Sequence, residues 1–115
     1  MKIRTRETKK GTWNVTLNGK LTIDQLESFK TMLDPLIIKK TTTIIVDFSA
    51  ATFLDSSGLG MLLTTANRAK SAGIDFILRN VPETIRTILN TAKVDSFFVI
   101  QESNDAADGI DNQPL

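Results

Sequence analysis

Three apolar residues stand in a row in "TTTIIVDF", residues 41–48: Ile44, Ile45 and Val46. In a strand, neighbouring side chains point to opposite faces. An uninterrupted β-branched run therefore predicts a strand apolar on both faces, set centrally and covered on both sides. Few folds supply that environment, and an open α/β sheet is the commonest. The rest of the chain is read around this strand.

The flanking segments alternate between two periods. Residues 2–8 are polar, with Ile3 as the one large apolar side chain, which suits an edge strand. "WNVTLNG" alternates, with Trp13, Val15 and Leu17 on one side and Asn14, Thr16 and Asn18 on the other. With "KKG" as the turn, the two segments predict a hairpin. "TIDQLESFKTMLDPL" has Ile23, Leu26, Phe29, Met32 and Leu33 at helical spacing, with Thr22 or Asp24 as its cap. Pro35 limits any continuation of that helix.

The central strand is expected to end near Phe48, with "SAATFLD" as the loop that leaves it. From Gly58 the pattern is helical through Leu59, Leu62, Leu63, Ala66 and Ala69, and Gly73 stops it. "IDFILR" predicts a strand, "PETIRTILNTA" a helix opened by Pro82, and "SFFVI" a last strand. "NDAADGI" is read as a turn of helix, and "DNQPL" as disordered. The predicted fold is a single α/β domain over residues 1–110 with a short tail, 111–115. Its sheet is mixed, with an N-terminal hairpin, mainly parallel later strands and flanking helices.

Composition narrows the chemistry. The 115 residues suit one domain and contain no cysteine, histidine or tyrosine. Thiolate metal sites and disulfides are excluded. A Ser-His-Asp triad cannot be built. No metal or other cofactor is called, and no catalytic residue. The net charge is +1, which argues against direct nucleic-acid binding. Four acids (Glu102, Asp105, Asp108, Asp111) lie after residue 101, leaving fourteen bases against nine acids, a net +5, before them. The bases are scattered along the sequence. No run of roughly 18 apolar residues predicts a membrane span, and "MKIRTRETKKG" is not a signal peptide. A cytoplasmic protein, monomeric when free, is expected.

The densest chemistry lies in "FLDSSGLGML", residues 53–62, between the predicted central strand and the following helix. Asp55, Ser56 and Ser57 can each cap that helix, and a cap needs only one of them. Gly58 and Gly60 each cost roughly 1 kcal/mol against Ala in a helix, which implies close approach or bare backbone. The helix N-terminus favours an anion. Neither a nucleophile elbow nor a Walker A loop fits the spacing.

The segment "IIVDFSAATFLDSSGLGMLL" resembles the signature of the STAS domain, and more specifically that of bacterial anti-sigma factor antagonists. The matching residues are Asp47, Ser49, Asp55, Ser56, Ser57, Gly58 and Leu59. The order of elements resembles the family over residues 3–110. The resemblance implies a protein that switches partners. By motif position, Ser56 is the residue phosphorylated by a serine kinase that is also the anti-sigma factor. The unmodified protein binds that partner, the phosphorylated form releases it, and a metal-dependent serine phosphatase resets it.

The resemblance also implies a partner surface beside that serine. It comprises Asp55, Ser57, Gly58, Leu59 and Gly60, with Thr22 and Asp24 in the loop "GKLTID". Relatives carry acids where Lys20 and Thr22 stand here. Ser57 is the rival phosphoacceptor, but is assigned to satisfying helix N–H groups. Asp47 and Ser49 are assigned to the turn at the strand end, and Trp13, Phe97 and Phe98 to the core or sheet. A second reading, also drawn from a STAS subfamily, is an accessory subunit of a lipid-transport ATPase complex. A small enzyme using Asp55 and Ser56 ranks below both, because no base near neutral pH is available.

Overall fold

A computed structural model describes residues 1–102. The expected helical turn in "NDAADGI" and disorder in "DNQPL" lie outside the described residues. Five strands and three helices follow in order: β1 (Lys2–Lys9), β2 (Thr12–Leu21), α1 (Leu26–Leu33), β3 (Thr43–Leu54), α2 (Ser56–Ser71), β4 (Asp75–Arg79), α3 (Glu83–Thr91) and β5 (Val99–Gln101). Short 3-10 turns occupy Ile23–Gln25, Asp34–Leu36 and Asp95–Phe97.

The strands form one sheet in the order β1-β2-β3-β4-β5. β1 and β2 are antiparallel, and every later neighbour is parallel. This is the predicted mixed α/β sheet with its N-terminal hairpin. Each parallel step is bridged by one helix. Right-handed crossovers in a strictly sequential order place all three helices on the same face. The packing agrees. Phe29 and Leu33 of α1, Leu62 and Ala69 of α2, and Ile85 and Leu89 of α3 join one buried cluster with Val15, Leu17, Ile44, Val46, Phe48 and Leu78. Ile45 is also buried, at 8% exposure, but stands outside that cluster on the opposite face.

Several boundaries differ from the sequence reading, each for a physical reason. β3 does not end near Phe48 but continues to Leu54. Its register against β2 shifts between Thr16 and Asn18 and again between Gly19 and Lys20. Strict alternation is therefore lost after Phe48, and Ala51 and Leu54 return to the core at spacings of three. Ile23 is not on the buried face of α1. It opens a 3-10 turn and is 64% exposed. Pro35 sits in the 3-10 continuation after α1, where the missing N–H costs little. The last strand begins at Val99, because Asp95–Phe97 form a 3-10 turn that leaves Phe97 71% exposed and Phe98 buried. Gly73 has φ +75 and ends α2, as its lack of a Cβ permits.

Candidate functional site

The C-terminal end of β3 passes into α2 at one residue, Asp55. Its backbone is extended, with φ −94 and ψ −176, and its carboxylate faces two segments at once. Oδ1 accepts from the Gly58 N–H at 2.8 Å and caps α2. Oδ2 accepts from the Ile23 N–H at 3.1 Å, 32 residues away in sequence. The Asp55 N–H in turn donates to the Leu21 carbonyl at 3.2 Å. One side chain thus fixes the entry of α2 and the turn after β2 as a unit.

This arrangement corrects two expectations. Neither Thr22 nor Asp24 caps the first helical segment through its side chain. The orphan N–H at Ile23 is met by Asp55 instead, a contact that no local sequence pattern announces. Nor does Ser57 cap α2, because Asp55 already does. Asp47 does bond the backbone, its Oδ1 accepting from the Ser49 N–H at 2.8 Å and from Asn80 Nδ2 at 3.2 Å, but it and Ser49 lie within β3, which runs on to Leu54, and not in a turn at the strand end.

The two glycines have different reasons. Gly58 is buried against the turn, and a Cβ there would collide with the Leu21 carbonyl oxygen, which is backbone and cannot swing away. Its helix cost is the cost of closing α2 onto β2. A Cβ on Gly60 would meet nothing within 4 Å. Gly60 is exposed and lies one helical turn beyond Ser56, on the same side of α2. The fold gives no reason for a glycine at that position.

Ser56 is the first residue of α2 and is exposed. Its hydroxyl has no hydrogen-bond partner among the described residues. Ser57 is half-buried. Thr22 is half-buried and Asp24 exposed, in the turn that Asp55 holds against α2. The structure therefore brings the sequence-predicted residues Thr22, Asp24, Asp55, Ser56, Ser57, Leu59 and Gly60 to one end of the sheet, with Gly58 beneath them.

Two apolar residues in this region escaped sequence reading. Ile23 is 64% exposed, and Phe53, two residues before Asp55, is 43% exposed. The sequence places Ile23 on the apolar face of the first helix and Phe53 in the loop after the central strand; the 3-10 turn and the irregular end of β3 set both at the surface near Asp55. A groove of about 340 Å³ opens between α2 and α3, bordered by Leu54, Ser56, Leu59, Thr87, Ile88 and Ala92. Its lining is mainly apolar, and Ser56 stands at its rim. Among the described residues, no group of three or more His, Cys, Asp or Glu could hold a metal ion. Nor is any helix among them long and apolar enough to cross a membrane.

Comparison with known proteins agrees with this architecture. Similar solved structures include the anti-sigma factor antagonist SpoIIAA in its unphosphorylated form, 23% identical, with a TM-score of 0.74 and 96% of each chain covered. The Bacillus SpoIIAA structure in its phosphorylated form is also 23% identical, with a TM-score of 0.72 and coverage of 95% and 99%. A Thermotoga maritima protein assigned as an anti-sigma factor antagonist is 19% identical, with a TM-score of 0.81 and coverage of 96% and 95%. A sulfate transporter family protein from Wolinella succinogenes is 17% identical, with a TM-score of 0.75 and coverage of 93% and 89%. At these identities the likeness is one of fold. The STAS domain family model matches residues 4–107, nearly the whole chain. The chain therefore belongs to the STAS domain family.

Proposed function

We propose that this protein is a partner-switching regulator of the anti-sigma factor antagonist type, controlled by phosphorylation of Ser56, and not an enzyme. The observation that carries the reading is the division of labour at the junction. Asp55 caps the helix, so the Ser56 hydroxyl is exposed and has no structural task. A kinase can reach it, and modifying it breaks no bond of the fold. In this reading the unmodified surface binds an anti-sigma factor that is also a serine kinase, and a metal-dependent serine phosphatase restores that surface after modification.

The electrostatics support release. A phosphoserine adds about −1.5 to −2 charges. The N-terminus of α2 partly offsets that charge, which keeps the domain folded. The Asp55 carboxylate is held next to it by two hydrogen bonds and cannot withdraw. Two like unit charges 4 Å apart repel by about 1 kcal/mol in water and about 4 kcal/mol at an effective dielectric of 20. A partner that dries the junction raises the repulsion toward the larger value. Docking of the partner, more than folding, therefore bears the cost of phosphorylation.

The test is intact-mass analysis after incubation with ATP and lysate of the native cells, comparing wild type with Ser56→Ala. The reading expects a single added phosphate in wild type and none in Ser56→Ala. No addition to wild type in a lysate with demonstrably active kinases would overturn it. Because the same fold occurs in a sulfate transporter family protein, a transporter-associated role is the second reading. In the form expected from the sequence, an accessory subunit of a lipid-transport ATPase, it predicts copurification with that ATPase and no dependence on Ser56.

A further inference from the structure

Two apolar side chains that the core leaves outside flank the serine junction. Ile23 is 64% exposed and Phe53 is 43% exposed. Pairing register sets Phe53 opposite Lys20, and the next pair, Leu21 and Leu54, is buried at 1% exposure each. Successive side chains of a strand face opposite sides. Lys20 and Phe53 therefore stand together on the side of the sheet away from the helices. Lys20 is exposed and forms no ion pair among the described residues. A free cation thus stands beside an exposed aromatic residue. Ile23 follows three residues after Lys20, at the same end of the sheet.

Both apolar residues are fixed relative to Ser56. Phe53 lies on the extended end of β3, three residues before Ser56, so at most about 11 Å of chain separates them. The Ile23 N–H donates to the Asp55 carboxylate at 3.1 Å, and that carboxylate also caps α2. Side chains on fixed backbone lose less freedom when a partner covers them. A single exposed apolar residue needs no explanation, whereas apolar residues gathered in one place mark a contact surface. Aromatic residues are enriched at the centre of protein interfaces, with charges at the rim.

We infer that Phe53, Ile23 and Lys20 form the docking surface for the serine kinase of the proposed switch, which covers them with an apolar cleft edged by a carboxylate. The inference rests on the reading of Ser56 as the substrate of that kinase. Phe53 and Ile23 supply the contact area. Lys20 supplies the sign, because a cation at the rim of the cleft would be repelled. These residues set which kinase binds and take no part in the transfer. In that transfer the Ser56 oxygen bonds the γ-phosphorus of ATP, the bond to the β-phosphate oxygen breaks, ADP leaves, and the hydroxyl proton passes to the kinase.

The test follows phosphate on Ser56 by intact mass, in native-cell lysate with ATP, over a range of protein concentrations. Phe53→Ser, Ile23→Thr, Lys20→Gln and Lys20→Glu are compared with wild type. Phe97→Ser is the control, an exposed apolar position in the turn before β5, at the opposite end of the parallel strands. Urea titration identifies the folded variants, and Ile23→Thr, in an exposed turn, decides the matter if Phe53→Ser is unfolded. Phe53→Ser and Ile23→Thr should each lower the rate about tenfold at limiting protein, with the rate recovering at saturation, as lost binding requires. Lys20→Glu should lower it more than Lys20→Gln, and Phe97→Ser should match wild type. Wild-type rates in the Phe53, Ile23 and Lys20 variants would overturn the docking surface and leave the Ser56 reading standing. A loss that persists at saturation would do the same, as would a wild-type dimer that Phe53→Ser dissociates. No phosphate on wild type, with active kinases demonstrated, would overturn the Ser56 reading and this inference with it.

Discussion

Asp55 and Ile23, 32 residues apart, are joined by a hydrogen bond from the Ile23 N–H to the Asp55 carboxylate at 3.1 Å. The same carboxylate caps α2 through Gly58. An acid that looks like a local helix cap is also the tie that holds the turn after β2 against the start of α2. The position of Thr22 and Asp24 relative to Ser56 depends on it.

Asp55→Ala should therefore cost more than a simple cap. Loss of a cap costs typically about 1 kcal/mol. A second N–H, at Ile23, loses its partner as well, although it lies in an exposed turn and water can replace much of that bond. We expect about 1–3 kcal/mol in urea titration. Faster amide exchange at Ile23 should accompany it. A stability loss with Ile23 exchange unchanged would refute the tie.

Gly58→Ala should destabilise by about 1–3 kcal/mol, although alanine is the better helix former. The colliding atom is the Leu21 carbonyl oxygen, and relieving the clash means moving β2 away from α2. Thermal unfolding reads this as a fall in Tm of several degrees.

Gly60→Ala should do the opposite. With open space around a Cβ, only the helix propensity remains, a gain of about 0.5–1 kcal/mol. If bare backbone at this position lets a partner approach Ser56, the more stable variant should bind that partner less tightly. Calorimetry against the cognate kinase, in parallel with urea titration, compares the two effects. Unchanged affinity would remove Gly60 from the partner surface.

Phosphorylation of Ser56 should leave the fold intact. A negative charge in the first turn of a helix is favourable by typically 0.3–1 kcal/mol, which offsets part of the repulsion from Asp55. We expect a Tm within a few degrees of the unmodified protein and a partner affinity lower by at least tenfold. Ser57→Ala should retain phosphorylation. Loss of the phosphate in that variant, with Ser56 present, would move the switch to Ser57.

How much was legible follows from the length scale of each cause. The β-branched run Ile44, Ile45 and Val46 announced the central strand, but not the cover on both sides expected with it, since all three helices pack on the one face where Ile44 and Val46 lie. The helical spacing of Leu59, Leu62, Ala66 and Ala69 announced α2 for a similarly local reason. From such short-range periodicities the sequence by itself determined the order of elements, the mixed sheet and the junction where Asp55, Ser56 and Ser57 meet. Tertiary structure decided what those residues do. Two register shifts between β2 and β3 carried the strand on to Leu54 and left Phe53 outside. A bond across 32 residues made Asp55, which also caps α2, the tie that organises the site. The Leu21 carbonyl explains Gly58, while open space sets Gly60 apart. Strand pairing set Lys20 beside Phe53. Each of these depends on atoms distant in the chain and close in space, which a pattern of neighbouring residues does not encode.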